Sequence, residues 1–105
     1  MKKFILIALI IPVTLFAQQT TEYMLYDGNN REYILYIPSS YSSSQPTPIL
    51  FAFHGGTGYA DDFMNYEADF RPIADTAGFI LVYPQALGDP NDCFNTSWLH
   101  KDPTD

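Results

Sequence analysis

Residues 48–58 (Pro48-Ile49-Leu50-Phe51-Ala52-Phe53-His54-Gly55-Gly56-Thr57-Gly58) constrain the chain more than any other stretch. Ile49 to Phe53 is an unbroken apolar run between Pro48 and a His-Gly-Gly turn. An apolar run of this length without alternation reads as a strand buried on both faces, the kind found in parallel sheets. Three glycines within residues 55–58 then let the backbone bend sharply and leave its N–H groups uncovered. Bare amides at the end of an inner strand can hold an oxyanion or a phosphate.

The flanking sequence supplies the rest of a sheet. Thr20 to Asp27 and Glu32 to Ile37 are rich in Tyr, Ile and Leu, and Asp27-Gly28-Asn29-Asn30 between them are all turn residues. Two such runs about such a cluster predict a hairpin, which Pro38 ends. Residues 39–48 read as a polar surface loop. After the glycine turn, Phe63, Tyr66, Phe70, Ile73 and Ala77 recur at spacings of three and four, which is one helical face. Asp61 and Asp62 suit a helix start, where the dipole is positive, and a ligand pair is the lesser reading. Pro72 interrupts the pattern, so the spacing predicts a short helix near 60–68 and a second from about 71, stopped by Gly78. Phe79 to Tyr83 is a second buried-type strand, ended by Pro84. Strand, helix, strand in this order predicts a βαβ unit with a right-handed crossover. Residues 85–105 read as loop, with Cys93, Phe94 and Trp98 as anchors.

The fold class expected is therefore α/β: an antiparallel hairpin followed by a parallel βαβ unit, at residues 18–105. Two strands apolar on both faces need helical cover on both sides, and only one helical segment lies between them. The unit accordingly reads as an incomplete sheet, the front of a longer protein.

Residues 1–17 have the pattern of a secretory signal peptide: Met1-Lys2-Lys3, then an apolar run from Phe4 to Ile11, then a small residue at Ala17. The run is short for a membrane span, which takes about 20 residues. The leader holds two of the five basic residues and none of the 12 acidic ones, so the remainder carries three against 12, a net −9. Such an acidic chain repels nucleic-acid phosphates. The expectation is a secreted protein, extracellular or periplasmic, with no nucleic-acid partner and no membrane association once the leader is removed. A single cysteine, Cys93, excludes a disulfide scaffold and reads as a buried free thiol or, the favoured reading, as one whose partner cysteine lies on sequence elsewhere.

Several chemistries find no support in the residues. Gly-x-Ser-x-Gly is absent, and the serines at 39, 40, 42, 43 and 44 sit in a polar loop. Residues 55–58 match no phosphate-loop pattern and no lysine follows them. No His, Cys or Asp cluster has metal-ligand spacing, and no cofactor is expected. What remains is an oxyanion-hole reading of His54-Gly55-Gly56-Thr57, set against a plain tight turn, because α/β-hydrolases take one oxyanion donor from an HGGG-type loop after their third strand.

Two β-rich strands, then ILFAFHGGTG, a helical segment and GFILVYPQ resemble the front of an exported esterase of the polyhydroxybutyrate depolymerase and feruloyl esterase type, within the α/β-hydrolase fold. The resemblance covers residues 20–105. It implies an ester substrate, possibly polymeric or derived from plant cell walls, and catalysis through a serine acyl-enzyme. The N–H of Gly56 or Thr57 would be one oxyanion donor. His54 and Gly55 would support the turn, with His54 structural and not the catalytic base. The Ser, Asp and His of the triad would all lie beyond Asp105. Without the family's strand that leads to the serine, Ile49 to Phe53 would present an unpaired apolar edge. Trp98 reads either as a loop anchor or as an aromatic that stacks on substrate. A rival class is a small carbohydrate-binding module using Trp98 and the tyrosines, which predicts a self-contained fold; another α/β-hydrolase, such as a peptidase, would share the same front end.

Overall fold

The computed structural model describes Ile10 and residues 16–89 and 92–98, with side chains 89 and 92–95 excepted. Nearly all of the expected leader, the side chains of Cys93 and Phe94, and His100 lie outside the described residues. The rest is a small mixed α/β unit built on a four-stranded sheet.

Strand β1 (Gln18–Tyr26) pairs antiparallel with β2 (Asn29–Ile37), from Gln18 opposite Ile37 to Tyr26 opposite Asn29. The loop is only Asp27-Gly28, both at positive φ (49° and 72°). That is the handedness a two-residue hairpin turn needs, and Asp-Gly tolerates it. The turn is thus tighter than the four-residue cluster suggests.

Strand β3 (Ile49–Phe51) leads through the glycine turn into α1 (Ala60–Asp62), which widens into a π-helical stretch, Phe63–Glu67. Helix α2 (Arg71–Ala77) follows. Pro72 is tolerated because it sits in the first turn, where no intrahelical donor is required. Gly78 closes α2 at φ 75°, its N–H donating to the Ala74 carbonyl at 2.8 Å. Between the two helical segments, the buried Tyr83 hydroxyl donates to the Ala68 carbonyl (2.7 Å) and accepts from the Phe70 N–H (3.1 Å), which holds the break in place.

Strand β4 (Ile80–Pro84) runs parallel to β3 and antiparallel to β2, giving the order β1-β2-β4-β3. Leu81, Val82 and Tyr83 are buried, as a central strand requires. Strand β3 is not buried on both faces. It is an edge strand three residues long, and Ile49, Leu50 and Phe51 are 53 %, 40 % and 55 % exposed. The reason is positional: β3 has one neighbour, and an apolar pattern reports what a strand can bury, not what lies beside it.

Pairing partners share a face, so Ile34, Tyr36, Leu81 and Tyr83 point one way, while Met24, Arg31, Tyr33, Val82 and Pro84 point the other. The core lies on the first face, where these four residues join Ala52, Ala60, Met64 and Ala74 under the helices. Tyr36 is also tied to α2, its hydroxyl reaching both oxygens of Asp75 at 2.7 and 2.8 Å. No helix of the described residues covers the second face.

The loop expected after Gln85 is instead a second, two-stranded sheet: β5 (Leu87–Asp89) and β6 (Asp92–Ser97), paired antiparallel from Leu87 opposite Ser97, with an irregularity between Gly88 and Asp89. Its Gly, Asp, Pro and Asn residues read as loop punctuation because each strand is too short to show a period.

Candidate functional site

The backbone pairing of β3 with β4 continues beyond the strand at both ends, through Ile80 N–H to Pro48 O and Ala52 N–H to Val82 O, both 2.9 Å. This fixes the chain up to the turn. Gly58 N–H then closes on Gly55 O at 3.2 Å, a four-residue turn with Thr57 at φ 65°. Positive φ at the third position normally selects Gly or Asn, so a β-branched residue there is strained. Gly58 is favoured by space: a Cβ would crowd Gly55 O at 3.2 Å and His54 Nδ1 at 3.3 Å, so these neighbours would have to give by a few tenths of an ångström. Gly55 and Gly56 are different. A Cβ on either would meet nothing within 4 Å, so packing does not require glycine at these two positions.

His54 fastens the turn to the segment after β4. It is 3 % exposed, and its Nε2 accepts the Ala86 N–H at 3.1 Å. A backbone N–H can only donate, so Nε2 is the unprotonated nitrogen and Nδ1–H donates to Gly55 O at 2.7 Å. The Gln85 side chain lies against the same Nε2 at 3.3 Å, while its Oε1 caps α1 by accepting Ala60 N–H at 2.7 Å. Both imidazole nitrogens are therefore committed to structure.

The β5–β6 hairpin clamps the other side of the turn. Thr57 N–H donates to Thr96 O at 2.8 Å, and Thr96 Oγ1 donates to Gly58 O. Trp98 Nε1 donates to His54 O at 2.9 Å, with its ring 4.8 Å from the imidazole and 5.2 Å from Phe53. Of the two amides expected as oxyanion donors, that of Thr57 is already spent on a neighbouring carbonyl. The Gly56 N–H makes no hydrogen bond within the described residues, and Gly56 is one of the residues lining a cleft of about 440 Å³. Trp98 serves as a loop anchor, its single donor taken.

The cleft runs from Gly55 and Gly56 to Asp62, Phe63 and Glu67 on the helical side. The negative charge of two acidic lining residues, Asp62 and Glu67, disfavours a permanent anion such as phosphate. No group of three His, Cys, Asp or Glu side chains placed to hold a metal occurs in the described residues.

Gln85 and Thr96 were not foreseen as part of this arrangement. Gln85 had a signal, being the first polar residue after a buried strand and level with the turn. Thr96 had none, because its part depends on a hairpin that the pattern does not reveal. Comparison of the chain with protein-family models and with curated proteins finds no match.

Proposed function

We propose that this chain is the N-terminal part of a secreted serine carboxylic-ester hydrolase of α/β-hydrolase fold, of the polyester depolymerase or feruloyl/acetyl esterase type, with residues 1–17 as its leader. The observation that carries this reading is the Gly56 amide: unpartnered within the described residues, at the carboxyl end of a strand in a parallel pair, on an open cleft.

An ester carbonyl oxygen placed in that cleft meets Gly56 N–H. As a serine adds to the carbonyl carbon, negative charge develops on this oxygen and the amide stabilises it. The turn is already held by His54, Gln85 and Thr96, so little reorganisation accompanies the reaction. A carbonyl enters uncharged, so Asp62 and Glu67 penalise its binding less than they would an anion's, and their repulsion is felt only as the oxyanion forms, where the Gly56 amide opposes it. The serine itself belongs to sequence after Asp105. The open side of β3 suits a further parallel strand, whose carboxyl end would then lie beside Gly56.

The test uses the longer protein that this reading requires, in which it expects a Gly-x-Ser-x-Gly after residue 105. Gly56→Pro, which removes the amide, lowers kcat by about 10²–10³. Gly56→Ala keeps the amide, has room for its Cβ, and leaves kcat near that of the parent. Undiminished turnover in the proline variant refutes the donor role.

A further inference from the structure

Among the described residues other than glycine, Asp27 and Thr57 have positive φ, at 49° and 65°. Asp27 is explained by its hairpin turn, and Asp tolerates the left-handed region. Thr57 has no such explanation: it is β-branched, and a glycine stands on either side of it. Gly56 is not at positive φ, so the signs at 56 and 57 are those of a type II turn, closed by Gly58 N–H on Gly55 O. A type I turn would return Thr57 to negative φ. It keeps the same closing bond and differs by rotation of one peptide, that between Gly56 and Thr57. Strain of this kind persists only where the surroundings enforce it.

Thr96 enforces it. The residue is 7 % exposed; its carbonyl accepts Thr57 N–H at 2.8 Å and its hydroxyl donates to Gly58 O. The net worth of two such hydrogen bonds and the cost of one left-handed β-branched residue are of the same order, so the two turns are close in free energy. The peptide between Gly56 and Thr57 is trans, so its C=O points opposite to its N–H. With Thr57 N–H aimed at the hairpin, Gly56 O is turned away from it. The cleft of about 440 Å³ is lined by the turn, Asp62, Phe63 and Glu67, and by none of the described hairpin residues. It therefore opens on the side to which Gly56 O is turned.

We propose that this turn is a two-state peptide switch, resting with the Gly56 carbonyl towards the cleft and presenting the Thr57 N–H there once Thr96 lets go. The consequence for catalysis rests on the esterase reading above. The resting carbonyl repels a developing oxyanion, whereas the flipped peptide adds a second donor. Gly56 N–H belongs to the preceding peptide and keeps its place in both states. Thr96 is thus an autoinhibitory contact: its carbonyl holds the amide that a substrate oxygen would take.

Relaxation dispersion on the ¹⁵N-labelled full chain reads the flip as μs–ms exchange at the Thr57 and Gly58 amides, with the β2–β4 ladder amides flat. Thr57→Gly, for which the left-handed region carries no steric penalty, holds the resting turn and quenches the exchange. Thr96→Val, which removes the hydroxyl bond to Gly58 O, raises the flipped-to-resting ratio about fivefold, and Thr96→Ser, which keeps that bond, returns it to the parent value. In the longer protein, Thr57→Gly lowers kcat about tenfold at unchanged KM, because the lost donor acts in the transition state. No exchange at the turn in both the parent and Thr96→Val overturns the proposal. So does exchange that persists in Thr57→Gly, which marks opening of the hairpin without a flip, and so does an unchanged kcat in that variant. A longer protein without esterase activity, its turn still exchanging and quenched by Thr57→Gly, upholds the switch and refutes the esterase reading instead.

Discussion

Replacing His54 by Phe separates the imidazole's hydrogen bonds from its packing. The ring volume is kept, and so is the stack against Trp98 4.8 Å away. What goes is the acceptor for Ala86 N–H, whose residue is 4 % exposed, and the donor to Gly55 O. Gly55 is exposed, so its carbonyl regains water at little cost. The Ala86 amide cannot, and an unpaired buried donor costs about 1–3 kcal/mol. His54→Ala loses the ring as well and leaves a cavity, for a total of about 3–5 kcal/mol. With a urea slope of about 1–2 kcal/mol/M, the Phe variant unfolds at a midpoint lower by about 1 M. Amide exchange gives the local reading: Ala86 N–H loses protection in both variants, while the β2–β4 ladder amides keep theirs relative to global stability. A Phe variant within about 0.5 kcal/mol of the parent, with Ala86 still protected, would refute the claim that His54 acts as a backbone fastener.

Three further outcomes are expected. Tyr83→Phe removes the hydroxyl that bridges Ala68 O and Phe70 N–H and destabilises by about 1–3 kcal/mol, measured by urea unfolding, with the linker amides exchanging faster. Burial first, and the Asp75 carboxylate second, push Tyr36 up to about 12 from the ordinary 10.0. Because the folded state resists forming phenolate, its contribution is fully present below pH 10 and is lost as pH rises towards 12; Tyr36→Phe flattens the alkaline limb of thermal stability against pH. The uncharged edge at β3 makes the chain self-associate, and Ile49→Lys, at an exposed position on that edge, reduces light scattering at equal concentration.

The hairpin, the central strand β4, the parallel β3–β4 pair and the Gly78 stop were legible because each rests on local chemistry: β-rich runs about Asp-Gly, a buried apolar run, a glycine at positive φ. The break between helical segments was legible from Pro72, but its fastening by Tyr83 was not, since a buried hydroxyl 13 to 15 residues away leaves no trace in spacing. The unpaired edge at β3 was expected from the missing neighbour, but the exposure of its faces was not, because burial depends on neighbours in space. The site divides the same way. His54, Gly55, Gly56 and Thr57 formed a visible cluster, whereas the loss of the Thr57 amide to Thr96 required two short strands that look like loop. Thr57 itself reads as an ordinary residue until its φ of 65° is known.

The clamp from β6 also sets how short this polypeptide can be made. A version stopped after Pro84 keeps all four strands of the main sheet, yet it discards Gln85, Ala86, Thr96 and Trp98, the residues that, among those described, tether the glycine bend from outside residues 54–58. Sheet and bend therefore part company under trimming: the first survives a cut at 84, while the second needs the chain through residue 98.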